Sequence, residues 1–152
     1  MEYNAWFIAI VLGLFLMWKL GFFATLLNLK ALSSEIPTTF DGFIDKDAYE
    51  QSQEYTRSRA TFGIGEGIFS LVLLFVFWWL GGFGWLDIQV RAFGYGPLIT
   101  GLIFVGALIF ANQLISIPFD LYSTFVIEER FGFNRTSLTT WFLDQVKGLL
   151  LG

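Results

Sequence analysis

The residues with the clearest chemical potential are two adjacent carboxylates, Glu128 and Glu129, with Arg130 directly after them. Neighbouring side chains on a helix point about 100° apart, so these two carboxylates cannot face one substrate as an acid/base pair. We interpret them as a polar helix face that pairs with Arg130 or Arg135 and gives structural support. Carboxylates in general remain possible oxygen ligands for a hard cation.

The composition removes most other catalytic chemistry. The 152-residue chain contains no histidine and no cysteine. It therefore lacks the usual general base, the commonest zinc ligand, thiolate nucleophiles and disulfides. A hydroxyl nucleophile needs an activating base, and the spacing of Ser34 and Lys30 gives no support to a Ser–Lys pair. The sequence thus predicts no catalytic residue and no metal ligand in this chain.

Other polar residues fall within apolar stretches. Lys19 either snorkels to an interface beside Trp18 or faces a cavity or partner. We expect Asn112, Gln113 and Asp120 to form hydrogen bonds between helices. Three glycines, Gly63, Gly65 and Gly67, do not match a phosphate loop and suit close helix packing instead. Asn134 to Thr136 form a glycosylation sequon, on a side of the membrane where we do not expect it to be used.

The overall composition indicates a membrane protein. Hydrophobic residues make up 55% of the chain and charged residues 14%. Soluble domains are nearer 45–50% apolar and about 25% charged. The net charge of −4 argues against nucleic acid as a partner, because phosphate binding needs a basic surface. The lipid bilayer is therefore the expected surrounding medium.

Three charge-poor stretches are long enough to cross a bilayer, which takes roughly 20 helical residues. We place the spans at about 5–29, 62–86 and 92–117. Their apolar runs are continuous rather than alternating, so a β-barrel is not expected. The N-terminal run is too long, and too poor in basic residues, for a signal peptide. The predicted fold class is all-α, a multi-span transmembrane helical domain with cytoplasmic helical extensions.

The distribution of cations predicts the orientation. Basic residues concentrate between the first two spans and after the third: Lys30, Lys46, Arg57, Arg59, Arg130, Arg135 and Lys147. The positive-inside rule therefore places the N-terminus outside and the C-terminal segment in the cytoplasm. We expect the membrane to be a bacterial inner membrane.

Local signals predict the helices outside the membrane. Asp47 has capping-box spacing to Glu50 and should start a long helix that runs to Leu80 and through the second span. Pro118 should kink or end the third span, before a short helix over about 120–131. Gly132 should cap that helix. Asn134 or Thr136 should cap an amphipathic helix over about 137–151.

Two segments carry a family pattern. The first, from Asp45 to Gly63, has a Y-x-x-S-x-x-Y arrangement: Tyr49, Ser52, Tyr55 and then Phe62. The second, from Ile115 to Lys147, has these matching residues: Pro118, Phe119, Tyr122, Phe125, Val126, Glu128, Glu129, Gly132, Phe133, Asn134 and Asp144. Together they resemble the N-terminal transmembrane domain of the type 1 CAAX prenyl proteases, which are integral-membrane zinc metalloendopeptidases.

This resemblance implies a supporting role for the chain. In that family the zinc-binding H-E-x-x-H motif lies further downstream, so zinc is expected only in a longer parent protein and not in this chain. The matching residues are expected to be structural and to build part of the wall of an intramembrane chamber. The implied partners are the bilayer, a downstream catalytic domain of the same protein and a prenylated or membrane-bound protein substrate.

Two other functions fit the same sequence. If no zinc domain follows, the chain is a membrane scaffold or partner subunit without peptidase activity. A small channel or transporter component is less favoured, because the spans carry no sustained polar stripe.

Overall fold

The computed structural model describes residues 5–33, 35–36 and 43–151. Regular structure in these ranges is entirely helical, which confirms the all-α prediction. The five α-helices are α1 (Ala5–Ala31), α2 (Lys46–Trp79), α3 (Gly82–Arg91), α4 (Pro97–Tyr122) and α5 (Leu138–Leu151). A π-helical segment, Ser123–Glu128, extends α4.

Three of these elements are long and apolar enough to cross a membrane: Ala5–Ala31, Lys46–Trp79 and Pro97–Glu128. Their large side chains point outward. Trp6 is 78% exposed and Leu27 is 68% exposed. Such surfaces are stable only in contact with lipid or further protein. The chain is an integral membrane protein.

The cap of helix α2 lies two residues earlier than predicted. Asp45 caps it, since its carboxylate accepts a hydrogen bond from the backbone N–H of Asp47 at 3.4 Å. Asp47 itself lies in the first turn, so the predicted cap position was wrong. The predicted long helix is confirmed, because α2 continues without a break for 34 residues. At 1.5 Å per residue it is about 50 Å long, well beyond the ~30 Å hydrocarbon core.

The helix ends differ from the predicted span limits. Helix α2 stops at Trp79, inside the predicted span 62–86, because Gly81 takes a left-handed conformation with φ +76°. Helix α3 starts at Gly82, where a Cβ would collide with the ring of Phe77. The third predicted span, 92–117, begins with a turn at Gly94, φ +73°, and only then with α4.

Pro118 does not end α4, so that part of the expectation was wrong, and the alternative of a kink stays a prediction. The helix runs through it to Tyr122 and then widens into the π-helical segment. A membrane helix tolerates proline when neighbouring turns satisfy the freed backbone groups. The predicted cap at Gly132 is confirmed by its left-handed φ of +73° and by its N–H, which donates to the carbonyl of Glu129 at 3.0 Å.

Helix α5 is capped by a residue other than the two predicted. Ser137 Oγ accepts from the N–H of Thr140 at 3.2 Å and so caps the first turn. Asn134 instead closes a turn, as its side-chain oxygen accepts from the N–H of Thr136 at 2.8 Å. A side-chain hydrogen bond between Gln113 and Gln145 joins α5 to α4.

Candidate functional site

Most of the ring contacts and side-chain hydrogen bonds between distant segments of the described residues lie where α2 meets α4, its π-helical extension and the turn that follows. The two helices are antiparallel, so the contacts follow one another in order. Phe62 stacks on Tyr122 with ring centres 4.9 Å apart, and Tyr55 meets Phe133 at 4.8 Å, edge to face. We call this region the α2–α4 junction. It comprises Gln51, Tyr55, Arg59 and Phe62 of α2, Phe119, Tyr122, Ser123 and Glu128 of the α4 side, and the turn from Glu129 to Asn134.

An aromatic cluster lies at the end of the junction where the N-terminal half of α2 meets the turn from Glu129 to Asn134. Tyr55 contacts Phe131 at 5.6 Å between ring centres as well as Phe133, both edge to face. Phe131 is only 6% exposed, one of the most buried side chains of the described residues. Gln51 Nε2 donates to the backbone carbonyl of Phe131 at 3.1 Å. Edge-to-face pairs add about 0.5–1.5 kcal/mol beyond area burial, so this cluster ties the turn firmly to α2.

An ion pair occupies the middle of the junction. Arg59 Nη1 donates to Glu128 Oε1 at 2.9 Å and also to the hydroxyl of Ser123. The side chains of Arg59 and Glu128 are 45% and 26% exposed, so solvent weakens the attraction. The prediction that Glu128 pairs with Arg130 or Arg135 was therefore wrong. Its partner lies on another helix, 69 residues away in sequence.

Glu129 points away from Glu128, as neighbouring positions on a helix require. Its carboxylate accepts from Asn134 Nδ2 at 3.0 Å, within the turn that follows. The guanidinium of Arg130 lies 5.5 Å from the ring centre of Phe131. The two carboxylates thus have separate structural partners and form no acid/base pair.

A polar cavity of about 200 Å³ adjoins the ion pair. Arg59, Glu66, Asp120, Ser123 and Thr124 contribute its polar lining. Its hydroxyls are those of Ser123 and Thr124, and the hydroxyl of Ser123 accepts a hydrogen bond from Arg59, so the lining offers hydrogen bonding. In the described ranges no group of three or more His, Cys, Asp or Glu side chains is arranged to hold a metal ion.

The structure brings nine of the predicted family residues into the junction, and six lie elsewhere. Two of the six, Phe125 and Val126, are in the π-helical segment. The N–H of Tyr49 makes the first helical bond of α2, to the carbonyl of Asp45 at 3.0 Å. The carbonyl of Ser52 accepts from the hydroxyl of Thr56 at 2.9 Å. Pro118 is inside α4. Asp144 pairs with Lys147 on the exposed side of α5 at 3.2 Å.

The sequence also singled out polar residues outside the junction. Gln113 bonds across to α5, which confirms the prediction of an interhelical partner. Lys19 Nζ lies 5.0 Å from the ring centre of Phe15 on its own helix. Ser34 falls outside the described residues. On α3, the hydrogen bond that Arg91 donates to Asp87, and then the charge of that carboxylate, raise the pKa of the Arg91 guanidinium above its ordinary value.

Arg59, Ser123, Phe131 and Gln51 were not among the predicted site residues. Each acts through a partner on a distant segment, and pairing of this kind leaves no periodic or spacing signal in one sequence. The basic residues near the second span gave the only hint, since Arg59 stands just outside its apolar stretch.

Comparison with known proteins places this fold in a family. Residues 25–152 match a family model described as CAAX prenyl protease N-terminal, five membrane helices. The protein named "Probable CAAX prenyl protease 1" of Schizosaccharomyces pombe is 31% identical over 134 residues, which are 80% of this chain and 28% of that protein. CAAX prenyl protease 1 of Saccharomyces cerevisiae is 29% identical over 132 residues, 80% of this chain and 29% of its own length.

The crystal structure of S. mikatae Ste24p has the same arrangement of helices. It superposes with a TM-score of 0.84 at 26% sequence identity, over 99% of this chain and 37% of that chain. The chain spans less than a third of the two yeast relatives named above. The family match across most of its length and this shared fold show that the chain belongs to the CAAX prenyl protease N-terminal family of membrane domains.

Proposed function

We propose that this chain forms part of the wall of the intramembrane chamber of a zinc metalloendopeptidase, and that it is not catalytic by itself. The observation that carries the proposal is the α2–α4 junction. It joins the two segments with the family pattern through Tyr55 and Phe133, Phe62 and Tyr122. A rigid connection of this kind is what a chamber wall needs to hold its spanning helices at fixed spacing.

The chemistry of such an enzyme would come from residues outside this chain. With no histidine present, zinc ligands and the activation of water belong to a downstream domain of the same protein. The helices described here exclude lipid, keep the chamber open and help present a prenylated or membrane-bound protein substrate. The names of the relatives support the substrate class, since they are called CAAX prenyl proteases.

A chimera tests this role. The matching region of the S. cerevisiae protein is replaced by this chain, and the purified chimera is given a peptide with a prenylated cysteine. We expect cleavage that a zinc chelator abolishes, and no cleavage by the 152-residue chain alone. A folded, membrane-inserted chimera that fails to cleave, beside an active parent, would refute the role and favour the stand-alone scaffold.

The orientation that we propose places the N-terminus of the chain outside the cell and the N-terminal end of α2 in the cytoplasm, because the basic residues concentrate there. The absence of native cysteine makes a labelling test simple. A membrane-impermeant maleimide should reach Gln89→Cys from outside intact cells and reach Glu50→Cys only after permeabilisation. The reverse pattern would invert the topology. The bacterial inner membrane expected from sequence has no support from the relatives named, which are from yeasts.

A further inference from the structure

A second cavity, of about 450 Å³, lies on the outer side of the α2–α4 junction. Its rim carries two guanidinium groups, Arg57 and Arg130, and two hydroxyl residues, Ser58 and Thr61. The rest of its lining is aliphatic or aromatic: Phe62, Tyr122, Val126, Ile127 and Phe131. The cavity therefore combines a cationic, hydrogen-bonding edge with a hydrocarbon surface, and no carboxylate is among its lining residues.

The position of the cavity along α2 matches the edge of a bilayer. From Phe62 to Trp79 the helix has a single charged residue, Glu66, whereas Arg57 and Ser58 lie within one and a half helical turns before that stretch. On the other side, Arg130 follows the apolar element Pro97–Glu128. Cations placed just beyond the hydrocarbon core lie at the depth of lipid headgroups.

The positive charge at the rim is not neutralised by ion pairs within the described residues. Within the described ranges, neither Arg57 nor Arg130 has a carboxylate oxygen within the 4.0 Å of an ion pair. Asp47, Glu50 and Glu54 line a neighbouring cavity together with Arg130 and reduce its field there. Arg57 does not line that neighbouring cavity. A guanidinium group matches the oxygens of a phosphate in two parallel hydrogen bonds.

We infer that this cavity binds one anionic glycerophospholipid. Its headgroup phosphate lies between Arg57 and Arg130, where the hydroxyls of Ser58 and Thr61 donate further hydrogen bonds. One acyl chain passes over Val126, which is 47% exposed in the structure. The inference is independent of peptidase activity, because it rests on the charge and apolar lining of this cavity alone.

The test uses the full chain, delipidated in neutral detergent and titrated with lipid under native mass spectrometry. Phosphatidylglycerol should give a one-to-one adduct at lower concentration than phosphatidylcholine. The double variant R57Q/R130Q should weaken that adduct about tenfold or more, as expected for the loss of charge-assisted hydrogen bonds. Arg135→Gln is the matched control, since Arg135 is exposed and does not line the cavity, and it should bind as the parent does.

Three outcomes would overturn the inference. Equal affinity for phosphatidylglycerol and phosphatidylcholine would show that the cavity does not recognise the headgroup charge. An equal loss in Arg135→Gln would reduce the effect to general surface charge. Competition by inorganic phosphate at the lipid's own concentration would identify a free-anion site rather than a lipid site. Circular dichroism of each variant verifies that the helices are retained. A further variant, Val126→Glu, places a negative charge in the path of the acyl chain and should also weaken the lipid adduct.

Discussion

The two faces of α2 make opposite kinds of contact. Toward α4 it presents large rings and an arginine, which meet partners throughout the junction. Toward α1 it presents Ala60, Gly63 and Gly67, and a cleft of about 440 Å³ remains between the helices. Trp18 Nε1 lies 3.7 Å from where a Cβ of Gly67 would be. Small residues on a membrane helix thus permit close packing but do not enforce it.

Removal of a ring from the junction should have the largest effect. Tyr55→Ala should lower the free energy of unfolding by about 2–3 kcal/mol, because it opens the cluster around the buried Phe131. Denaturant titration in detergent, followed by circular dichroism, measures the change. Tyr95→Ala is the control, as that ring is 55% exposed and stacks only on Phe93 among the ring pairs of the described residues. Equal losses of unfolding free energy in Tyr55→Ala and Tyr95→Ala would show that the rings of the junction contribute no more than an exposed ring.

The turn that carries Phe131 and Phe133 depends on a left-handed residue. Gly132→Ala should cost about 1–2 kcal/mol, since an L side chain at φ +73° meets its own backbone. Gly148→Ala in α5 provides the opposite case, because alanine favours the helix there. The same titration compares them. A neutral Gly132→Ala would mean that the turn can shift without loss to the junction.

The ion pair in the junction should contribute less than the rings. Arg59→Gln and Glu128→Gln should each cost about 1 kcal/mol, limited by the partial exposure of both side chains. A double-mutant cycle isolates their coupling. The exposed pair of Asp144 and Lys147 serves as reference and should show coupling within about 0.5 kcal/mol of zero. Coupling no larger for Arg59 and Glu128 than for this reference would contradict the prediction.

The α1–α2 cleft should respond in the stabilising direction. At Gly63 a Cβ would meet nothing within 4 Å, so Gly63→Ala should raise the free energy of unfolding by about 0.5 kcal/mol through helix propensity. Gly82→Ala is the contrasting variant, because its Cβ would collide with Phe77. Thermal unfolding of the two variants, compared with the parent chain, shows whether each substitution raises or lowers stability. Destabilisation by Gly63→Ala would show that the cleft closes in the membrane.

Local features of the sequence predicted local structure well. The apolar runs, the uninterrupted course of α2 and the cap at Gly132 each depend on a short segment and its own backbone preferences. The cap of α2 was misplaced by two residues, because Asp45 and Asp47 are equally good capping residues and only the fold selects between them.

The junction could be predicted only in part. Its member residues came from a family resemblance, whereas their pairing came from the structure. Nothing local distinguishes Arg59 from Arg130 as the partner of Glu128, since the choice depends on the antiparallel approach of α2 and α4. The glycines of α2 suggested close packing, yet Gly63 and Gly65 face open space. Such outcomes depend on the crossing geometry of helices rather than on composition.

The π-helical segment has a consequence for helical phase. A π turn holds about one residue more than an α turn, so every side chain after it is rotated by about 100° relative to an unbroken α-helix. Ile127, which is 7% exposed, and Glu128, which meets Arg59, are the last two residues of the segment, so the wider turn before them affects their direction. Deletion of one residue between Ser123 and Glu128 would restore the ordinary phase and turn the following carboxylate away. The length of this segment, more than the identity of any single residue in it, therefore determines which side chain meets Arg59.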